Sequence, residues 1–512
     1  MSKKLRRQID QIIDEGTGST RRVIVQMKVD DRELKEFLNI ASSAAARRQL
    51  SISARQVLPP SAQLVRGGSR SKKQRLVRQK ALKQTAQSMT SQVAAASMTM
   101  LTRQSLRALG EASLAPLVAS EAFKEQVHKA GADGAKRATA PTTFWSSGSA
   151  ALELEKDTLH TLPKKVSGVS DVFRNRRLRL PPVTRVDDLP REVLDHKTSA
   201  WGVEVTGALA VWGAYEVWGE GVKVAVLDTG IDPNHPDLVD GLAGWAELDV
   251  DGRLVEGSTA YDSGAHGTHC AGTIIGRNHS GKWIGMSPGA ELYAGLVLKG
   301  GSGSDAQILA GLQWAIDSGV DIISMSLGGL SFEPEVHDTY TRTILNANRL
   351  GIPVVVAIGN DGQQTSGNPG NDFFAFSVGA TDYRDRPAGF SGGRTQVISE
   401  SRYISPQYLP LVYSKPDVSG PGVAVLSAVP GGKHEAWNGT SMATPHVAGA
   451  LALLLSATDI KDTVAASERA FVLQELLTGS VEELGESGQD HRYGFGRINV
   501  LRAIGFAKEL GY

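Results

Sequence analysis

KVAVLD (223–228) is a run of apolar residues that closes on an aspartate. A strand buried on both faces reads in this way, whereas a strand with one wet face alternates. The pattern returns in ELYAGLVL (291–298), DIISMSL (321–327), IPVVVAIG (352–359) and FAFSVGAT (374–381), with helical stretches such as DAQILAGLQWAIDSG (305–319) between them. Buried strands alternating with helices predict an α/β fold over residues 201–512, built on a doubly wound, mostly parallel sheet.

Upstream the sequence changes character. RRVIVQMKV (21–29) alternates as a half-buried strand does. TTFWSSGSAALELE (142–155) reads as strand, DTLHTLPKK as a short helix and SDVFRNRRLRLP as a closing strand. These pieces predict a small α+β domain over 21–182, interrupted at about 31–138 by a helical insert rich in Ala, Gln, Arg and Lys. Residues 1–20 read as a tail and 183–200 as a polar linker. A chain of 512 residues exceeds what one core organises, about 250–300 residues, and two domains fit that length.

The net charge of +1 hides an asymmetry. Residues 41–110 carry thirteen Lys or Arg and no acid, so the remaining 42 of 55 basic residues face all 54 acidic ones and leave the rest near −12. No aromatic residue lies in that basic stretch, which argues against base stacking. A solvated helical face complementary to the acidic remainder is the favoured reading over nucleic-acid binding. The single cysteine, Cys270, excludes an intrachain disulfide. The N-terminus lacks the apolar core of a secretory signal, and no run of about 18 apolar residues offers a membrane span. A cytoplasmic protein is expected.

Three motifs stand at strand ends or helix starts of the α/β domain: VAVLDTGID around Asp228, HGTHCAGT around His266 and NGTSMATPHVAG around Ser441. An Asp closing a buried strand can fix a histidine tautomer and stabilise its imidazolium. A serine opening a helix has free N–H groups beside it for a developing oxyanion. Asn360, in AIGNDG, supplies a side-chain amide as the second oxyanion donor. His235, His269 and His446 read as structural, and Cys270 as an apolar filler.

In order and composition these motifs resemble the subtilisin-like (S8) serine peptidase family over about residues 199–504, with further matches in HPDL (235–238), SMSLGG (324–329) and YGFGRINVLRA (493–503). The resemblance implies an Asp228–His266–Ser441 triad hydrolysing peptide bonds through an acyl-enzyme. Ser326, Leu327 and Gly328 would form one edge of the peptide cleft, Gly301, Ser302 and Gly303 the other. Gly367 would lie at the mouth of the pocket for the residue before the scissile bond. No acidic residue obviously marks that pocket, so apolar or large side chains are expected there. Asp237 falls where many relatives bind calcium, with RNHSGKW (277–283) as the loop, although Arg277, His279 and Lys282 are poor company for a hard cation. The chemistry itself calls for no cofactor, and structural calcium is the one metal implied.

The N-terminal unit resembles the family's prodomain, an intramolecular chaperone and inhibitor, and places self-cleavage or inhibition between Leu189 and Trp201. Its insert departs from the family pattern and points to a regulated, latent protease. Two alternatives stay open. One is a latent or non-catalytic peptide-binding or regulatory protein with an occupied cleft; the other is a hydrolase of esters or other non-peptide substrates.

Overall fold

The structure is a computed structural model and describes residues 2–15, 18–29, 102–132, 140–332, 334–336 and 338–512. Much of the expected insert therefore lies outside the described residues. Its described part comprises helices α2 (Arg103–Val118) and α3 (Glu121–Ala132).

Residues read as a tail instead form helix α1 (Lys3–Asp14), capped by the Ser2 side chain accepting from the Leu5 N–H at 3.1 Å. Lys3, Lys4, Arg6 and Arg7 make this stretch look wholly polar. Leu5, Ile9 and Ile12, spaced four and three apart, nevertheless share one face and are buried. That face packs into the N-terminal unit's own core with Val23, Val25, Leu152, Leu159 and Val172.

In this unit β1 (Thr20–Met27), β2 (Thr142–Phe144), β3 (Ser149–Glu155) and β4 (Val169–Arg174) make an antiparallel sheet ordered β2-β3-β1-β4. Helix α4 (Lys156–Lys165) connects β3 to β4. The stretch expected as one closing strand divides at Asn175. Beyond it, β5 (Arg177–Arg179) and β6 (Thr184–Val186) leave the unit and pair with strands of the larger domain.

The larger domain is α/β, as its apolar runs imply. Its seven-stranded sheet contains β7 (Lys223–Asp228), β8 (Leu242–Glu247), β9 (Glu291–Leu296) and β11 (Ile322–Met325), followed by β13 (Val354–Ala357), β15 (Phe376–Thr381) and β18 (Val418–Pro421). The order is β18-β15-β13-β11-β7-β9-β8, and every neighbouring pair is parallel. Helices α5 (His266–Ile275), α6 (Asp305–Ser318) and α7 (Thr440–Ser456) pack on it. Short strands ring the sheet: β10 (Ser302–Ser304), β12 (Gly329–Ser331), β14 (Ser366–Asn368), β16 (Arg394–Ile398), β17 (Leu411–Lys415), β19 (Val425–Val429) and β20 (Lys433–Asn438).

Two apolar clusters cover the faces of the sheet. The cluster around α6 also takes in Phe144, Trp145, Phe173 and Leu178 from the N-terminal unit. A polar seam reinforces this contact. Arg176 makes two bonds of 3.0 Å to the buried Asp305 carboxylate, and the Asn175 side chain accepts from the Ala306 N–H. Residues 175–176 thus occupy the N-terminus of α6, where free N–H groups need acceptors.

Candidate active site

Asp228 ends central strand β7 and is wholly buried. Its Oδ1 lies 2.8 Å from His266 Nδ1 and accepts from the Thr229 N–H at 2.7 Å. His266 is the first residue of α5, and the close approach of its helix to the β7 turn is possible because residue 267 is glycine. A Cβ there would meet the Gly230 carbonyl oxygen at 2.0 Å. Burial alone would lower the His266 pKa, but the adjacent Asp228 charge overrides it and raises the imidazole well above its usual value. Trp437 stacks on His269 with ring centroids 4.5 Å apart and lies 6.3 Å from His266, walling the imidazole on that side.

Ser441 is the second residue of α7, among the N–H groups without an intrahelical partner. Its hydroxyl donates to the Ser326 carbonyl at 3.3 Å, while the Ser326 hydroxyl donates to the Ser441 carbonyl at 2.8 Å. His266 Nε2 makes no hydrogen bond among the described residues. Asp228 and His266 are therefore joined, whereas the Ser441 hydroxyl is bonded to the Ser326 carbonyl and not to the imidazole. Ser326, expected to pair with a substrate backbone, here bonds to the Ser441 peptide.

Asn360 follows β13. Its Oδ1 accepts from the Thr440 N–H at 2.8 Å and from the Thr440 hydroxyl at 2.7 Å. With the oxygen so engaged, Nδ2 must point the other way, and it donates to the Pro182 carbonyl at 3.0 Å. Thr440 escaped the sequence reading, although it sits beside Ser441 in the same motif.

The chain's own residues 177–182 run along the glycines expected to border a peptide cleft. β5 runs antiparallel to β10, with Arg179 opposite Ser302 and Leu178 opposite Gly303. Leu180 N–H donates to the Gly301 carbonyl at 2.9 Å. On the other wall Leu327 is buried, and Gly328 and Gly367 line a cavity of about 400 Å³ together with Gly359, Asp361, Pro181 and Pro182. Asp361, an exposed acidic residue, is also part of that lining. Beyond Pro182, β6 pairs with β20, matching Arg185 to Trp437. Linker residues near Trp201 lie elsewhere, with the Trp201 indole donating to the Val423 carbonyl.

His269 and His446 are buried and pushed down to about 3 and about 4, chiefly by desolvation, so both stay neutral. Cys270 is buried, its Sγ 3.8 Å from His266 Nδ1, and burial raises its thiol pKa. Such a thiol is a poor nucleophile.

Asp237 does not offer a calcium cage. Its Oδ1 accepts from the His279 N–H at 2.7 Å and its Oδ2 lies 2.5 Å from His434 Nε2. A hard cation needs six to eight oxygen ligands, and here nitrogen groups hold both oxygens.

Among known proteins the chain is 38% identical over 292 residues to subtilisin amylosacchariticus of Bacillus subtilis subsp. amylosacchariticus, covering 56% of this chain and 66% of that protein. It is 38% identical over 276 residues to an intracellular serine protease of Paenibacillus polymyxa, 53% and 74% of the two chains. A thermostable alkaline protease of Halalkalibacterium halodurans is 36% identical over 282 residues, 55% and 69%. The chain thus spans about two thirds of the length of the relatives it matches. The subtilase family model matches residues 219–496, more than half of the chain, and the protein belongs to that family.

Proposed function

We propose that the protein is a serine endopeptidase with an Asp228–His266–Ser441 triad, held latent by its own N-terminal unit. The observation that carries this reading is the Asn360 amide donating to a peptide carbonyl, that of Pro182, within an extended segment laid across the cleft. A donor aimed at a peptide carbonyl beside a helix-starting serine is what acyl transfer requires.

Ser441 Oγ attacks the substrate carbonyl carbon as its proton passes to His266 Nε2. Asp228 keeps the imidazole in the tautomer with Nδ1 protonated and stabilises the imidazolium. Charge on the carbonyl oxygen is met by Asn360 Nδ2 and the Ser441 N–H. The C–N bond breaks, His266 returns the proton to the leaving amine, and water repeats the sequence on the acyl-enzyme. Every group in this scheme belongs to the protein. Protein or peptide chains are the substrates, since β10 and the glycines of 328 and 329 border a slot that accepts an extended strand.

Latency rests on the same strand. Before Ser441 can reach His266 its hydroxyl must rotate from the Ser326 carbonyl, and residues 177–182 must give way to substrate. The bond beside the Asn360 donor is Pro182–Val183, which makes it, rather than a bond in 189–201, the candidate for self-cleavage. Proline at residues 181 and 182 fixes φ and removes two N–H donors from the strand, which suits an inhibitor better than a substrate. One cysteine and the intracellular relative support work inside the cell, and among the described residues no helix is long and apolar enough to cross a membrane.

The test is to purify wild type and Ser441→Ala, follow chain length by mass spectrometry, and assay casein cleavage and labelling by a covalent serine probe. Trimming, labelling and digestion by wild type alone support the reading. If wild type neither labels nor cleaves, even after limited proteolysis of the N-terminal unit, a peptide-binding protein with an occupied cleft is the better account.

A further inference from the structure

Outside the triad, at the start of β20, two histidines and a carboxylate converge. One ring nitrogen of His235, one of His434 and an oxygen of Asp237 lie within 4.8 Å of one another. His235 and Asp237 come from the HPDL turn and His434 from β20, so the cluster is assembled from segments about two hundred residues apart in sequence. His235 and Asp237 are fully buried, and the His434 side chain keeps 18% of its surface exposed.

Two of the three members are oriented by backbone groups, and the third, His434, is held by the Asp237 carboxylate. His235 has Nε2 against the Lys433 carbonyl at 2.9 Å and Nδ1 against the Asp237 N–H at 3.1 Å. Asp237 has Oδ1 on the His279 N–H, which aims Oδ2 at His434 Nε2, 2.5 Å away. Backbone restraint of imidazole and carboxylate is the outer-shell pattern found behind metal ligands, where it fixes ring orientation and tautomer. Two nitrogens and one oxygen are unsuited to calcium but are the donor set of a borderline divalent ion.

We propose that His235, Asp237 and His434 form a three-ligand site for a divalent transition ion of the zinc class, with water as the fourth ligand. The ion would replace the hydrogen bond between Asp237 and His434. At ligand distances of about 2.0–2.2 Å, tetrahedral neighbours stand roughly 3.3 Å apart. The Asp237–His434 pair, 2.5 Å apart, would then open by less than about 1 Å, and the remaining pairs, which lie within 4.8 Å, would settle to the same spacing. His235 gives up one backbone hydrogen bond in exchange for the metal bond.

Such an ion would staple two segments that already touch, since the Gly431 N–H donates to the Asp232 carboxylate at 2.8 Å. The hairpin so fastened carries Trp437, which stacks on His269 beside His266, and pairs with β6. The site braces one wall of the cleft without touching substrate, and it does not depend on the proposed catalysis.

The experiment uses full-length Ser441→Ala, stripped with chelator and titrated with Zn²⁺ by calorimetry and with Co²⁺ by visible absorption. One equivalent of Zn²⁺ is expected, together with Co²⁺ bands of tetrahedral intensity and a higher melting temperature with Zn²⁺ than with Ca²⁺. His434→Ala, checked for folding by circular dichroism, should weaken Zn²⁺ binding at least tenfold; should it fail to fold, His434→Gln serves the same purpose. Absence of Zn²⁺ and Co²⁺ binding in the parent, equal affinity in the folded His434 variant, or tighter binding of Ca²⁺ than of Zn²⁺ would each overturn the proposal.

Discussion

Asn360 grips Thr440 with the oxygen of its amide and Pro182 with the nitrogen, so one side chain connects the start of the Ser441 helix to the segment 177–182. The oxygen has two donors and cannot exchange places with the nitrogen without losing both bonds. The donor is set in position before any substrate arrives. Replacing Asn360 by Ala should lower kcat for a peptide substrate by about 10²- to 10³-fold with a small change in KM, the loss seen when a subtilisin is deprived of its oxyanion-hole asparagine. Steady-state kinetics of the activated enzyme checks it. A loss appearing mainly in KM would deny Asn360 an oxyanion role.

Arg176 and Asp305 hold the strand upstream of the cleft. Asp305 is wholly buried, accepts two bonds of 3.0 Å from the guanidinium and 2.7 Å from the Arg176 N–H, and also receives the Tyr340 hydroxyl at 2.5 Å. Removing one partner of such a pair leaves the other charge buried, at a cost of about 3 kcal/mol. Arg176→Ala should therefore loosen the docked strand by about a hundredfold and speed serine-probe labelling of the full-length chain. Unchanged labelling would move the hold to Leu178 and the apolar contacts around it.

Five strands of the sheet were legible because they are largely buried and read as apolar runs, from KVAVLD to FAFSVGAT, whereas edge strand β8 is partly exposed and gave no such run. Asp228, His266, Asn360 and Ser441 stood out in the sequence because each lies in a short motif, and the structure joins Asp228 to His266 and Asn360 to the residue before Ser441. Helix α1 was not, since four basic residues mask the three that it buries. Nor was the Arg176–Asp305 pair, joined across 129 positions with no local signature. The cleft-filling strand was read as the end of a prodomain sheet, because RLRLPP carries the apolar pattern of a strand without saying which partner completes it. Hydrogen-bonding partners on another sheet decide that.

His266 gives activity a definite pH direction. Catalysis needs the neutral imidazole as base, and although burial lowers the pKa, Asp228 raises it further. Activity should therefore rise with pH through a range above the ordinary histidine value of about 6.5. In Asp228→Asn the attraction that favours the imidazolium is gone, so the same rise should move to lower pH, with a much smaller plateau. A kcat/KM profile of the activated enzyme measures both. An unshifted midpoint in the variant would show that Asp228 does not govern the proton on His266.

Docking of the N-terminal unit carries its own pH dependence, set by Asp338. Burial pushes this carboxyl up to about 7, with Asp171 and Asp372 raising it and Lys4 and Arg402 opposing. Lys4 stands 3.7 Å from Asp171 and 3.6 Å from Asp338, and Arg402 2.7 Å from Asp171, so the group sits at the joint between α1, β4 and the peptidase domain. A carboxyl whose pKa is higher in the docked state favours docking when protonated. The stabilisation is greatest below about pH 4, the ordinary Asp range, falls as pH rises towards 7, and is flat beyond. In Asp338→Asn that slope should flatten, and at pH 8 the variant should melt higher than the parent because no charge is buried. Melting curves of the Ser441→Ala chain between pH 4 and 8 test this. If the variant keeps the parent's slope, the pH dependence belongs to another group in the joint.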